Sequence, residues 1–274
     1  MNAQGADSVP GGARDLDGAK ATQASSFVDS LSQLRSAQKS SRGAPIYSVL
    51  VNRPMGRVFA ALAHQIGLTP NQVTAISAVF TFSGVALIAL APASVLTGLG
   101  VAVLLVLGYG LDAADGQLAR LRGGGSLLGE WLDHLTDSVK VVVLHLAVAV
   151  SWFRFYDVSP GWLLVPLAFA AASSVHFFGM ILVDQLARVR HASTGAGVAP
   201  PKVMGRLNSY AKLPTDYGVL ALSFALLGWH TGFLVIYTLL ALAMVGYTVL
   251  VAQKWRRDVV ALEQPQQNAA LSSL

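Results

Sequence analysis

The 274-residue chain is 54% hydrophobic and only 12% charged, with a mean hydropathy of +0.56; soluble domains carry about 25% charged residues, so a soluble globular body is excluded. The lack of cysteine removes disulfides, thiolate nucleophiles and thiolate metal sites, leaving oxygen or imidazole to hold any metal. The net charge of +5 reads as the Lys and Arg excess on one side of a membrane protein, with no nucleic-acid partner.

Residues 1–45 are rich in Ser, Gly, Ala and Gln with scattered charges and lack the apolar core of a secretory signal, which predicts a disordered N-terminal tail. From Ile46 to Ile66, apolar Val49, Leu50, Val58, Phe59 and Leu62 alternate with polar Asn52, Arg53, Arg57 and His64 at roughly helical spacing. A helix of this kind lies in the membrane interface with its basic face toward the headgroups. Thr69, Pro70 and Asn71 then supply the turn and cap chemistry that starts a first span.

A helix needs about 20 apolar residues to cross a hydrocarbon core, and six stretches are read as spans. They run from Gln72 to Ala93, from Val95 through Leu107 into the Asp112 region, from Leu127 to Phe153, from Gly161 to Val183, from Tyr217 to Trp229, the shortest, and from Phe233 to Val251. The expected fold class is an all-α integral membrane protein: six transmembrane helices with an N-terminal interfacial amphipathic helix. Residues 46–257 form the membrane domain and 258–274 a polar C-terminal tail. Apart from Lys140 and Arg154, the Lys and Arg residues fall in the N-terminal segment, the loop with Arg120 and Arg122, the loop from Arg188 to Lys212, and Lys254, Arg256 and Arg257. That asymmetry places both termini in the cytoplasm, with the plasma membrane as the expected location.

Against this apolar background Asp112, Asp115, Asp133 and Asp137 stand on the second and third spans. A carboxylate near the bilayer centre costs about 3 kcal/mol even on insertion scales. Asp112 and Asp115 are three apart and Asp133 and Asp137 four apart, so each pair shares one helix face, and an antiparallel hairpin lets the faces meet. Converging carboxylates repel unless they take up protons or meet a hard cation, and Mg2+ or Mn2+ selects such oxygens. Gly116 and Ala119 leave little bulk beside the acids, while Arg120 is placed to hold a phosphate oxygen. Acids, metal, small residues and one Arg together describe a diphosphate site.

The spacing D-x-x-D-G-x-x-A-R, then eight residues, then G-x-x-x-D-x-x-x-D, from Asp112 to Asp137, resembles the signature of the CDP-alcohol phosphotransferase family at every position. Thr69, Pro70, Asn71 and Thr74 are similar to the family's TPNxxT stretch, and the resemblance runs from about Asn52 to about Arg257. It implies a cytoplasmic-side active site and an enzyme of phospholipid biosynthesis. A substituted phosphate, often phosphatidyl from CDP-diacylglycerol, passes to the hydroxyl of a small alcohol with release of CMP. By the same resemblance Asp112, Asp115 and Asp133 hold a pair of divalent ions, Mg2+ or Mn2+, on the diphosphate, and Asp137, the fourth candidate ligand, is the general base. Gly116 and Ala119 leave room for cytidine, Arg120 steadies phosphate and Gly129 allows close approach. A homodimer is implied as well.

Other polar residues leave alternatives open. Lys140, one turn after Asp137, either pairs with an acid of the site or snorkels. His134 and His176 read chiefly as interhelical hydrogen bonders. Asp184 either reaches acceptor or metal or pairs with Arg188 at i, i+4. Arg206, Lys212 and Asp216 are candidates for binding an anionic acceptor or a headgroup, against a plain positive-inside role for the bases. The fourth span ends in Asp184-Gln185-Leu186-Ala187-Arg188, where phosphatidylinositol-phosphate synthases of the family carry a basic run, so a neutral polyol, an amino alcohol and a phosphorylated acceptor all stay open. The donor is lipidic or a water-soluble CDP-alcohol. The competing class is a cation-coupled transporter using the intramembrane acids.

Overall fold

The computed structural model describes residues 27–36, 45–194 and 215–271, which are nearly all helical and contain no strand. In chain order the helices are α1 (Phe27–Ser36), α2 (Arg53–Gln65, reached through a π-helical turn at Ser48–Asn52), α3 (Pro70–Leu90), α4 (Val95–Leu121) and α5 (Leu127–Phe155). Next come α6 (Leu164–Thr194, after a 3-10 turn at Pro160–Leu163), α7 (Tyr217–Ser223, extended by a 3-10 turn at Phe224–Leu226) and α8 (His230–Leu271). Five segments are long and apolar enough to cross a membrane: Pro70–Leu90, Val95–Leu121, Leu127–Phe155, Pro160–Ser193 and His230–Glu263. The chain is an all-α, multi-pass membrane protein.

The remaining expected span, Tyr217 to Trp229, takes the form of the short apolar segment Tyr217–Leu226. Such a segment rises about 15 Å, roughly half of a hydrocarbon core. Protein covers one face of it, with Ala221 and Phe224 fully buried, while Leu222 is 49% exposed. A Cβ on Gly98 of α4 would stand 2.6 Å from the Phe224 carbonyl oxygen, so only glycine lets the two backbones come this close. Tyr156 donates its hydroxyl to the Leu227 carbonyl at 2.8 Å, which supplies a partner where lipid offers none.

Helix starts follow the cap residues. Thr69 and Gln72 form a reciprocal capping box on α3 with Pro70 in its first turn, and Ser94 and Ser126 cap α4 and α5 by accepting the N–H groups of Thr97 and Gly129. The segment expected to lie in the interface is helical from Arg53 to Gln65. Leu50, Val58, Leu62 and Ile66 face outward, whereas Ala60, Ala61 and Ala63 are buried. Small residues bring α2 against α4: a Cβ on Gly56 would stand 2.8 Å from Gln117 Nε2 and 2.9 Å from Ala113 Cβ.

Two stretches read as tails contain helix. Phe27–Ser36 is helical because Leu34 packs into a small core with Ala60, Ala61, Val73, Ala114 and Leu118; residues 1–26 and 37–44 lie outside the described residues. At the other end α8 continues to Leu271, through most of the stretch 258–274; Ala, Leu, Glu and Gln are favourable helix formers there.

The larger core joins Ile88, Leu105, Val148, Trp152, Phe233 and Tyr237. α3 packs against both α4 and α5, α6 against α5 and α8, and α2 and α7 against α4. α4 and α5, although consecutive, are not packed backbone to backbone. The expected hairpin is therefore splayed, and the space it leaves is where the polar residues gather.

Candidate active site

The turn between α4 and α5 sets the two acid-bearing helices. Gly123 and Gly124 take φ of 93° and 138°, values that side-chain-bearing residues rarely adopt. They let the Gly124 N–H return to the Ala119 carbonyl at 2.9 Å and so close α4. Two residues later Ser126 opens α5, accepting the Gly129 N–H at 3.0 Å.

Asp112 from α4 and Asp133 and Asp137 from α5 each offer a carboxylate oxygen within 4.8 Å of the others, a grouping able to hold a metal ion. An all-oxygen set of this kind suits a hard divalent cation. Lys140, buried at 5% exposure, lies between two of the acids, its ammonium 2.8 Å from Asp112 Oδ1 and 2.7 Å from Asp137 Oδ1. Its charge offsets part of their mutual repulsion. Asp115 is not part of that grouping; it is buried and accepts the Thr74 hydroxyl at 2.5 Å. Thr74 of the TPNxxT stretch thus supports a motif acid from a neighbouring helix.

A cavity of about 950 Å³ opens beside the acids, walled by the start of α3, the end of α4, the glycine turn, the start of α5 and the last turns of α6. Of the residues expected to bind CDP, Asp115, Gly116, Ala119, Arg120, Gly129 and Asp133 line it, while Asp112 lies outside the lining. Arg120 Nε is buried with no hydrogen-bond partner among the described residues, so the guanidinium is not spent on a protein contact at that atom. A Cβ on Gly116 would meet only Arg120 Nη1, at an ordinary 3.5 Å. Protein packing does not demand glycine there, and the residue faces the cavity. Gly129 is tighter, with Asn71 Oδ1 and Ser126 Oγ 3.1 and 3.2 Å from a Cβ built on it.

The remaining candidates separate clearly. Asp184 and Arg188 line the cavity and pair at 2.9 Å, and Arg188 also donates to Glu130 at 2.9 Å. Asp216 is buried at 1% exposure, outside the cavity lining, where it caps α7 by accepting the Gly218 N–H at 3.1 Å and also accepts the Ser48 N–H at 3.4 Å. Burial raises its pKa above the usual carboxylate value, and these backbone donors oppose the rise. Arg206 and Lys212 lie outside the described residues. His134 lines the cavity 3.9 Å from Glu130, whereas His176 sits against the rings of Tyr247 and Trp255. Glu130 escaped the sequence reading, although its place next to Gly129 of the motif marks it.

Comparison with known proteins agrees with the motif. The family profile described as CDP-alcohol phosphatidyltransferase matches residues 67–251. A phosphatidylinositol phosphate synthase of Corynebacterium glutamicum is 36% identical over 121 residues, 42% of this chain and 48% of that protein. An archaetidylinositol phosphate synthase of Pyrococcus horikoshii is 31% identical over 109 residues, 40% of this chain and 55% of that protein. The match thus spans about half the length of each relative.

Proposed function

The chain belongs to the CDP-alcohol phosphatidyltransferase family, and from that premise we propose that it transfers a substituted phosphate, phosphatidyl from CDP-diacylglycerol, to the hydroxyl of a small alcohol and releases CMP. The observation that carries this reading is the meeting of Asp115, Gly116, Ala119, Arg120, Gly129 and Asp133 around one cavity, next to the Asp112, Asp133 and Asp137 trio. Gly116 and Ala119 admit the cytidine, and Arg120 holds a phosphate oxygen. Asp112, Asp115 and Asp133, with Asp137 as the fourth candidate ligand, are the residues that would hold divalent ions, Mg2+ or Mn2+, most simply two. Bound cations supply charge neutralisation on the diphosphate and the departing CMP. The acceptor oxygen bonds to the phosphorus that carries the alcohol, the bond from that phosphorus to CMP breaks, and Asp137 takes the acceptor's proton. Asp184 stands on the wall where the acceptor approaches.

The motif lies toward the ends of α4 and α5 that the positive-inside pattern assigns to the cytoplasm. A plasma-membrane location, a membrane domain over 46–257 and pairing into a homodimer belong to the same proposal. The experiment is CMP release from CDP-diacylglycerol by purified protein with Mg2+ or Mn2+ and a panel of acceptors: inositol phosphate, glycerol phosphate, inositol and amino alcohols. CMP release with one class of acceptor is expected. No release with any acceptor, together with tight binding of a water-soluble CDP-alcohol, would replace the lipid donor.

A further inference from the structure

Lys140 is a buried charge beside the acids to which the reaction above assigns no task. Its ammonium contacts Asp112 on α4 at 2.8 Å and Asp137 on its own helix at 2.7 Å. Those are two of the three acids whose oxygens converge within 4.8 Å. The backbones of α4 and α5 make few close contacts, and the buried lysine side chain links the two helices through these acids. A cation in this place acts twice. It draws together carboxylates that would otherwise repel, and it takes up oxygens and charge that a metal ion would use.

We propose that Lys140 is a positioning residue that serves the cluster as a fixed internal cation, holding Asp112 and Asp137 at their spacing before an ion binds and limiting how tightly a divalent ion is then held. The inference rests on the metal reading under Proposed function. The limit has a use: a cluster of moderate affinity gains its ions together with the substrate diphosphate, whose own charge adds to the attraction, and gives them up with the product.

Mn2+ titration of the purified full chain in detergent, followed through the electron paramagnetic resonance signal of free Mn2+, tests this without turnover. Lys140→Met is expected to bind Mn2+ about tenfold more tightly than the unsubstituted chain, and Lys140→Gln, which keeps a hydrogen-bond donor without the charge, to tighten as well. Lys140→Arg keeps the charge and is expected to stay within about threefold. A residue acting only as an interhelical clamp gives the opposite sign, because loosened acids bind more weakly. Unchanged or weaker binding in the neutral variants overturns the inference while the metal reading stands. Loss of the folded size-exclusion profile in both neutral variants marks a clamp alone and also overturns it. An unsubstituted chain that binds no Mn2+, or binds it undiminished after Asp133→Asn, overturns the metal reading and this inference with it.

Discussion

Thr74 on α3 donates its hydroxyl to Asp115 on α4 at 2.5 Å and fixes the one motif acid outside the 4.8 Å grouping of the other three. The bond satisfies a buried carboxylate on the wall of the cavity, so its loss is felt in both stability and binding. Thr74→Val is expected to cost about 1–3 kcal/mol of stability, the penalty for a buried polar group deprived of its partner. The same variant weakens CDP binding, and Thr74→Ser restores much of both. Thermal unfolding in detergent and CDP titration check the pair; wild-type affinity in Thr74→Val would separate Asp115 from the nucleotide.

Asp137 is proposed to receive the acceptor's proton, a role an amide cannot fill. Asp137→Asn is expected to lower CMP release about 100- to 10,000-fold, with nucleotide binding largely kept. Turnover and CDP affinity measured side by side decide it, and retained turnover removes the base assignment.

Asp112→Asn and Asp133→Asn alter the acid trio on different helices. Both are expected to weaken Mn2+-dependent CDP binding, with chelation by EDTA abolishing that binding in the unsubstituted chain. Binding of CDP that ignores EDTA and both substitutions would remove the ions from the donor site.

Gly116 offers a clean separation of stability from function. A Cβ there meets only Arg120 at an ordinary distance, and replacing a mid-helix glycine gains up to about 1 kcal/mol in helix propensity. Gly116→Leu should therefore melt no lower than the unsubstituted chain, yet obstruct the cavity and reduce turnover by about 100-fold or more through misplaced substrate. Full activity in a stable Gly116→Leu would show that the nucleotide lies elsewhere.

Asp216 contributes a pH dependence of defined sign. Its folded pKa is raised by burial, so the folded chain keeps the proton to higher pH than the unfolded chain does. The resulting stability is complete below the ordinary value of 3.8 and is lost as pH rises through the folded value. Asn accepts the same capping hydrogen bond without titrating. Asp216→Asn is expected to gain stability relative to the unsubstituted chain as pH rises from 4 to 7, and Asp216→Ala to lose about 1 kcal/mol with its cap. Melting of the three proteins across that range is the measurement, and a gap between the first two that does not widen with pH is the contrary result.

Much of the architecture was readable from local pattern. Runs such as Pro70–Leu90 and Val95–Leu121 announce themselves by length and hydropathy, and Thr69, Ser94 and Ser126 announce where helices begin, because capping and lipid solubility depend on near neighbours in the chain. Tyr217–Leu226 was harder: a segment too short to span on its own is held by Gly98 and Tyr156, residues remote from it in sequence. Phe27–Ser36 was missed for the same reason, since Leu34 gains its burial from α2 and α4.

The motif between Asp112 and Asp137 was legible as chemistry, because periodicity places two acids on each of two helix faces and residue type limits what can bind them. How those faces meet was not. The splay of α4 from α5, the Thr74 bond to Asp115, the bridge of Lys140 and the contact of Asp216 with Ser48 all depend on distances between segments far apart in the chain. Spacing along one helix carries no information about how two helices meet, and that meeting puts Asp115 and Asp133 on the cavity wall and pairs Asp112 and Asp137 with Lys140.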